Sequence, residues 1–434
     1  VPDHKKLLLK IALTFAAVAC VVSLAFSRTF YDEALSGAFF SLALGSVVIL
    51  HLRVRPRWLD ATLIAIGTAV AGFVAFDLLH FPTAVMAWFS FAGLSSFLIL
   101  AIRAIWDDVN RRMLLYACIP AALFAASDYF ATAMLQWTAD AHPKTLDVYL
   151  MMFDSSLRFQ PAFALGKAYA VHPWLHTVSL AAYIGLAVPI TIVYAGRLVK
   201  YKEKSFPAML AFLMAGPAGI LFYNLFPAAG PHNLFGAQFP FSPIPTGSLA
   251  RVLLEHVAAL GPRNAMPSLH LAWTLLAWWC SRNLSRTERT IAFLFLALTA
   301  FATLGTGEHW LADLVVAFPF ALMIRALSAY DVPFRDVRRH LAFGFGLFAT
   351  LTWLLLLRYC TRLFWTSPLV PWSLVAGTIA LTMLRQRMLS EAQEEPPTVE
   401  KPQLSALPAE GRLRPIPAAV GALDESPKPA SLPA

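Results

Sequence analysis

The residues best suited to chemistry lie in two short segments. Gly261-Pro262-Arg263-Asn264-Ala265-Met266-Pro267-Ser268-Leu269-His270 opens one apolar stretch, and Gly305-Thr306-Gly307-Glu308-His309-Trp310-Leu311-Ala312-Asp313 opens another. His309 and Asp313 are four residues apart, so a helix through both puts them on one face, one turn apart. Asp313 can then accept a hydrogen bond from one imidazole nitrogen, fix the tautomer and leave the other nitrogen as nucleophile or base. His270 is a second imidazole, able to protonate a departing oxygen. If both segments open helices, their free N–H groups and positive dipole ends attract an anion, phosphate above all. Pro267 and Ser268 suit a first helical turn, and Gly305 and Gly307 let the backbone approach a ligand closely. Together these features describe phosphoryl transfer, with one histidine attacking phosphorus and the other acting as acid.

Blander readings exist for each residue. A lone His270 reads as a buried histidine satisfied by backbone, and Glu308 as a first-turn acid at a helix end. His232, and Asp154 with Arg158 one turn later, are headgroup contacts or satisfied loop residues. No His-x-x-x-His pair or cysteine cluster supports a metal, and Cys20, Cys118, Cys280 and Cys360 form no CxxC pair. No metal and no cofactor is expected. It is the coincidence of two histidines and a carboxylate that favours catalysis.

The elements that must position these residues are membrane helices. Of 434 residues, 58% are hydrophobic and only 14% charged, at a mean hydropathy of +0.63. A soluble core of this size could not hide that much apolar surface. Apolar segments of spanning length predict an all-α, polytopic membrane protein of about twelve helices. They run Leu7 to Phe26, Leu35 to Leu52, Ala61 to Phe81, Val85 to Ile105, Leu114 to Leu135, His176 to Val199, Pro207 to Ala229, Pro267 to Arg282, Thr290 to Leu304, Trp310 to Leu327, Leu341 to Tyr359 and Leu369 to Leu384.

Charge tests this count. Alternate connections carry about 21 Lys and Arg residues against about 8, Arg251 among the latter, which predicts cytoplasmic termini and a site facing outward. The net charge of +9 is spread in short clusters between spans, a pattern that orients a membrane protein and excludes a nucleic-acid stripe. Two long connections, Gln136 to Leu175 and Gly230 to Met266, are rich in Pro, Gly, Phe and Trp and are expected to fold over the outer face. The tail from about Ser390 reads as disordered. The resulting divisions are accessory helices over 1–112, a catalytic core with the two long loops over 113–330, C-terminal helices over 331–389 and a cytoplasmic tail over 390–434.

Pro267-Ser268-Leu269-His270 followed by Gly307-Glu308-His309-Trp310-Leu311-Ala312-Asp313 resembles the paired motifs of the type 2 phosphatidic acid phosphatase superfamily. Leu269 in place of the usual glycine, and Phe226-Pro227-Ala228-Ala229-Gly230-Pro231 upstream, look more like its inositol phosphorylceramide synthase branch. The resemblance covers roughly Phe206 to Ala329. It implies a six-helix catalytic core in which His309 forms a phosphohistidine, Asp313 orients it and His270 is the general acid. Ser268 and Leu269 would then lie against substrate.

The chain departs from the phosphatase pattern at Ala302 and Thr303, where a Ser-Arg pair is usual, and no Lys with a following Arg-Pro is found. Arg263 is the best substitute phosphate ligand, with Lys167 and Arg158 behind it. Loss of that arginine also resembles the synthase branch. The sequence therefore reads as a multi-pass enzyme of bacterial inner-membrane type. It is expected to take a lipid substrate from the bilayer and transfer the phosphorylated headgroup to an alcohol. Hydrolysis of lipid phosphates is the alternative. A proton-coupled transporter is a rival of another class, but no inverted repeat is visible.

Overall fold

Hydrocarbon offers backbone N–H and C=O groups no partners but each other, so long apolar runs become helices. The computed structural model describes residues 4–245 and 254–394, so Arg251 and the tail from residue 395 lie outside the described residues. Six helices come first: α1 (His4–Ala25), α2 (Arg28–Ser36), α3 (Ala38–Val54), α4 (Trp58–Phe73), α5 (Val85–Trp106) and α6 (Arg111–Ala141). They are followed by α7 (Asp147–Ser156), α8 (Pro161–Val171), α9 (Pro173–Ile184), α10 (Ala187–Tyr201), α11 (Phe206–Leu225) and the short α12 (Pro231–Phe235). The described chain closes with α13 (Leu269–Cys280), α14 (Arg286–Gly305), α15 (Leu311–Ser328), α16 (Val337–Tyr359) and α17 (Leu369–Glu394).

Among the described residues, seven segments are long and apolar enough to cross a membrane. The protein is thus all-α and multi-pass, but the expected dozen spans are not reproduced. α13 has 12 residues and reaches only about 18 Å at 1.5 Å per residue, well short of a bilayer core of about 30 Å. α3, with 17 residues, is also short. The single span expected from His176 to Val199 is broken into α9 and α10 at Gly185 and Leu186, where the Gly185 amide ends α9 on the Ala181 carbonyl.

Burial ranks the helices. In α15, 83% of the apolar window is buried inside the protein, against 6% in α1, so α15 is central and α1 faces lipid. Small residues such as Ala312, Ala317 and Ala321 let neighbours approach α15 closely. α13 packs against α10, α11, α14 and α15, and α3 packs against α5, α6 and α10.

The two long connections fold together over the histidine end of the bundle. Lys144–Thr145 (β1) and Val257–Ala258 (β2) pair antiparallel, Lys144 opposite Ala258 and Thr145 opposite Val257. The first connection also supplies α7 and α8, and the second supplies α12. Residues 246–253 of the second connection lie outside the described residues.

Candidate active site

Short-range chemistry fixes where the site helices begin. Ser268 caps α13, its Oγ accepting from the Leu271 amide at 3.5 Å, a contact of the kind that contributes about 1 kcal/mol. The Ser268 amide donates to the Asp313 carbonyl at 3.2 Å and so holds the start of α13 against the start of α15. Ser285 and Glu288 form a capping box at the far end of α14, as Ser-x-x-Glu predicts.

His309 is not on a helix. α15 starts at Leu311 with Trp310 as its N-cap, so the shared helical face expected for His309 and Asp313 does not exist. The two side chains meet nonetheless, with Nδ1 of His309 3.4 Å from Asp313 Oδ2. Nδ1 lies nearer to the Ala265 carbonyl, at 2.9 Å. That carbonyl can only accept, so Nδ1 carries the proton and Nε2 keeps its lone pair. Asp313 Oδ2 takes the Trp310 amide at 2.8 Å, and the His309 amide donates to the Thr303 carbonyl at 3.0 Å. Burial lowers the His309 pKa to about 4 against the opposing pull of Glu308 and the Ala265 carbonyl, so the ring is neutral at pH 7.

His270 is the second residue of α13 and lies within electrostatic reach of His309. Its ring stacks on Tyr183 of α9 with centroids 4.0 Å apart, and Phe39 of α3 and Trp273 sit at 5.5 and 6.3 Å. Phe39 comes from the first helices of the chain, which therefore help to wall the site.

Two further carboxylates organise this end, both from α7. Asp154 was a weak candidate from sequence and Asp147 was not singled out. Asp147 takes the Ala229 and Gly230 amides, each at 2.9 Å, and the Trp310 indole N–H at 2.8 Å. Asp154 takes the Leu311 amide at 2.8 Å and the Ala312 amide at 3.3 Å. The seven-residue spacing, two helical turns on one face, was the available signal. The consequence corrects the expected anion site, because the N-terminal amides of α15 are already occupied by protein carboxylates.

The predicted substrate residues separate into groups. Arg263 was expected on an exposed loop, but it is 5% exposed. Its Nε donates to the His142 carbonyl at 2.7 Å, Nη2 to the Pro143 carbonyl at 3.1 Å, and Nη1 to the Gly261 carbonyl. Its guanidinium fastens the two long connections together. Lys167 and Arg158 are exposed, on and before α8, with no ion pair to the histidines among the described residues. Leu269 is buried against Gly219 of α11, where a Cβ would come within 2.6 Å of Leu269 Cδ2. Gly219 thus makes room for the larger residue of the motif.

Gly305 and Gly307 make room for protein rather than for a ligand. A Cβ on Gly305 would lie 2.3 Å from the Tyr169 ring, and one on Gly307 would lie 2.8 Å from Phe239. Ala302 and Thr303, the positions of the missing Ser-Arg, are fully buried. Among the described residues, no lysine or arginine hydrogen-bonds or ion-pairs with His270, His309 or Asp313.

Residues 148–327 match the family model of the PAP2 superfamily. The match contains both histidines, Asp313 and Asp154, and begins one residue after Asp147. It points to phosphatase or phosphotransferase chemistry on phosphate esters. No curated protein matches the chain, and no solved structure does. α1 to α6, which supply Phe39, lie outside the matched residues.

Proposed function

We propose that the protein is a membrane phosphotransferase that cleaves a lipid phosphate ester through a phosphohistidine and passes the phosphorylated headgroup to an alcohol. The observation that carries this reading is His309, neutral, with Nδ1 committed to the Ala265 carbonyl and Nε2 left as nucleophile. Nε2 attacks phosphorus, the bond from phosphorus to the departing oxygen breaks, and His270, which takes up a proton from water once the phosphate anion lies beside it, gives that oxygen the proton. The acceptor hydroxyl then attacks the phosphohistidine, His270 takes the hydroxyl proton, and Nε2 is released. Asp313, beside Nδ1, stabilises the charge that builds on the ring.

Charge supports a diester donor, as in inositol phosphorylceramide synthase-like transfer. The first-turn amides of α15 are already bonded by Asp154 and Asp313, and among the described residues no arginine bonds to the histidines. A phosphate monoester near neutral pH brings up to two negative charges and a diester only one, so such a site favours the diester. Hydrolysis of phosphomonoesters is the second reading and follows from the PAP2 match alone.

Mass spectrometry of lipids after incubating the purified protein with phospholipids, with and without an alcohol acceptor, tests the proposal. A new phosphodiester that forms only with acceptor supports transfer, whereas free phosphate from phosphatidate in either case identifies a phosphatase. No turnover of any phosphate ester would remove both readings.

A further inference from the structure

The end of the bundle opposite the histidines holds two arginines with too few partners. Arg325, in the last turn of α15, is 2% exposed. Its Nη2 donates to Gln393 Oε1 of α17, while Nε and Nη1 are buried with no hydrogen-bond partner among the described residues. Arg197, near the end of α10, donates from Nη1 to the Cys280 carbonyl at 3.2 Å, and its Nε is likewise buried and unpartnered. The two sit at one corner of the bundle, since Gln393 takes Arg325, its neighbour Glu394 takes Arg282, and Cys280, two residues before Arg282, takes Arg197.

The ordinary roles of such arginines are taken by other residues. A cation in the last turn of a helix normally answers its final carbonyls, but Arg339 of α16 donates to Ala326 and Leu327 at the end of α15, at 2.9 and 3.0 Å, and to Val332. Asp331 also lies within reach of Arg197, yet both its oxygens are bonded by Gln393 Nε2 at 2.9 and 3.0 Å. Glu394 pairs with Arg282 at 3.3 Å. Among the described residues the pair therefore carries more N–H donors than the protein around it meets, and a buried donor without an acceptor is costly.

We propose that Arg197 and Arg325 form a binding site for the phosphate of an anionic phospholipid headgroup. A guanidinium fork matches phosphate oxygens, and basic pockets between membrane helices are a setting for anionic headgroups. Arg197 is only partly buried, so the pair is reached from the surface where α10 and α13 end, beside exposed Lys200. Asp313 and Arg325 are twelve residues apart on α15, about 18 Å at 1.5 Å per residue, so this site is separate from the catalytic one. A phosphate there ties α10 to α15 and, through the Cys280 carbonyl, to the His270 helix. The proposal does not depend on the reaction assigned to the histidines.

The test is thermal unfolding of the purified full chain in micelles doped with phosphatidylglycerol, with phosphatidylcholine, or with inorganic phosphate alone. The wild type is expected to gain several degrees from phosphatidylglycerol relative to phosphatidylcholine, with Arg197→Gln and Arg325→Gln each losing most of that difference and Arg325→Lys keeping part of it. Should Arg325→Gln fail to fold, Arg197→Gln carries the test, together with native mass spectrometry of retained phosphatidylglycerol. No lipid difference in the wild type, or the full difference in Arg197→Gln, overturns the site. A full shift from inorganic phosphate alone overturns the lipid assignment.

Discussion

The two ends of α15 handle the same problem, the unsatisfied polar groups at the terminus of a buried helix, in opposite ways. At the histidine end the Leu311 and Ala312 amides are met by Asp154 and the Trp310 amide by Asp313, so nearly every donor is answered by protein. At the other end Arg339 answers the carbonyls, and among the described residues Arg325 is left with donors to spare. Donors met by protein hold geometry and spare donors recruit a ligand, so one helix can carry the candidate site and a separate anchoring point.

The largest effect expected at the closed end comes from the nucleophile itself. His309→Ala should lower headgroup transfer at least about 1000-fold, measured as product formed per enzyme by mass spectrometry. His270→Ala should be nearly as damaging with alkoxide leaving groups and much milder with a p-nitrophenyl phosphodiester, whose departing oxygen needs no proton. Equal mild losses in both variants would mean that the histidines only bind.

Breaking the carboxylate network tests whether that end is rigid because it is closed. Asp154→Ala leaves the Leu311 and Ala312 amides without acceptors and should cost about 2 kcal/mol of stability or more. Asp147→Ala removes the acceptor of two amides and an indole and should cost at least as much. Thermal unfolding of the two variants measures both. Little change in melting temperature would mean that the amides find water and that the network is dispensable.

Arg263 sharpens the contrast between a fastener and a ligand-seeking arginine. As a fastener, Arg263→Ala should lower stability by about 1–3 kcal/mol, because three carbonyls of the long connections lose their donor. The kcat per folded molecule should hold. A large loss of kcat/KM at unchanged melting temperature would return Arg263 to the phosphate.

The smallest effect is on pH dependence. The His309 pKa is lowered by burial to about 4, below its unfolded value of about 6.5. Between those values the unfolded chain takes up the proton first, so this group destabilises the fold progressively as pH falls from 6.5 towards 4 and contributes nothing above 6.5. Transfer from a phosphodiester should accordingly keep its rate below pH 6.5 and show its acid limb nearer 4. A limb at 6.5 in kcat/KM would place His309 in a wetter site than the one described.

The candidate site was legible in sequence because intramembrane ionisable residues are rare and costly, so His270, His309 and Asp313 stood out against the apolar background. Helical segments were legible for the same reason, although composition alone did not show that Gly185 breaks one of them or that α3 and α13 stop short. The pairing of His309 with Asp313 was anticipated from helical spacing. The structure brings them together by another route, with the histidine before the helix and a capping aspartate inside it.

What sequence determined by itself was the solvent and the candidate reacting groups, since a bilayer demands apolar helices and the phosphoryl transfer we propose would use these side chains. What only the tertiary structure decided was which donors remain free. Asp154 reaches α15 across 157 residues of chain, Arg263 reaches the His142 carbonyl across 121, and Arg339 displaces Arg325 from the end of its own helix. A hydrogen bond depends on distance in space, and spacing along a chain reports that distance only within one helix or turn.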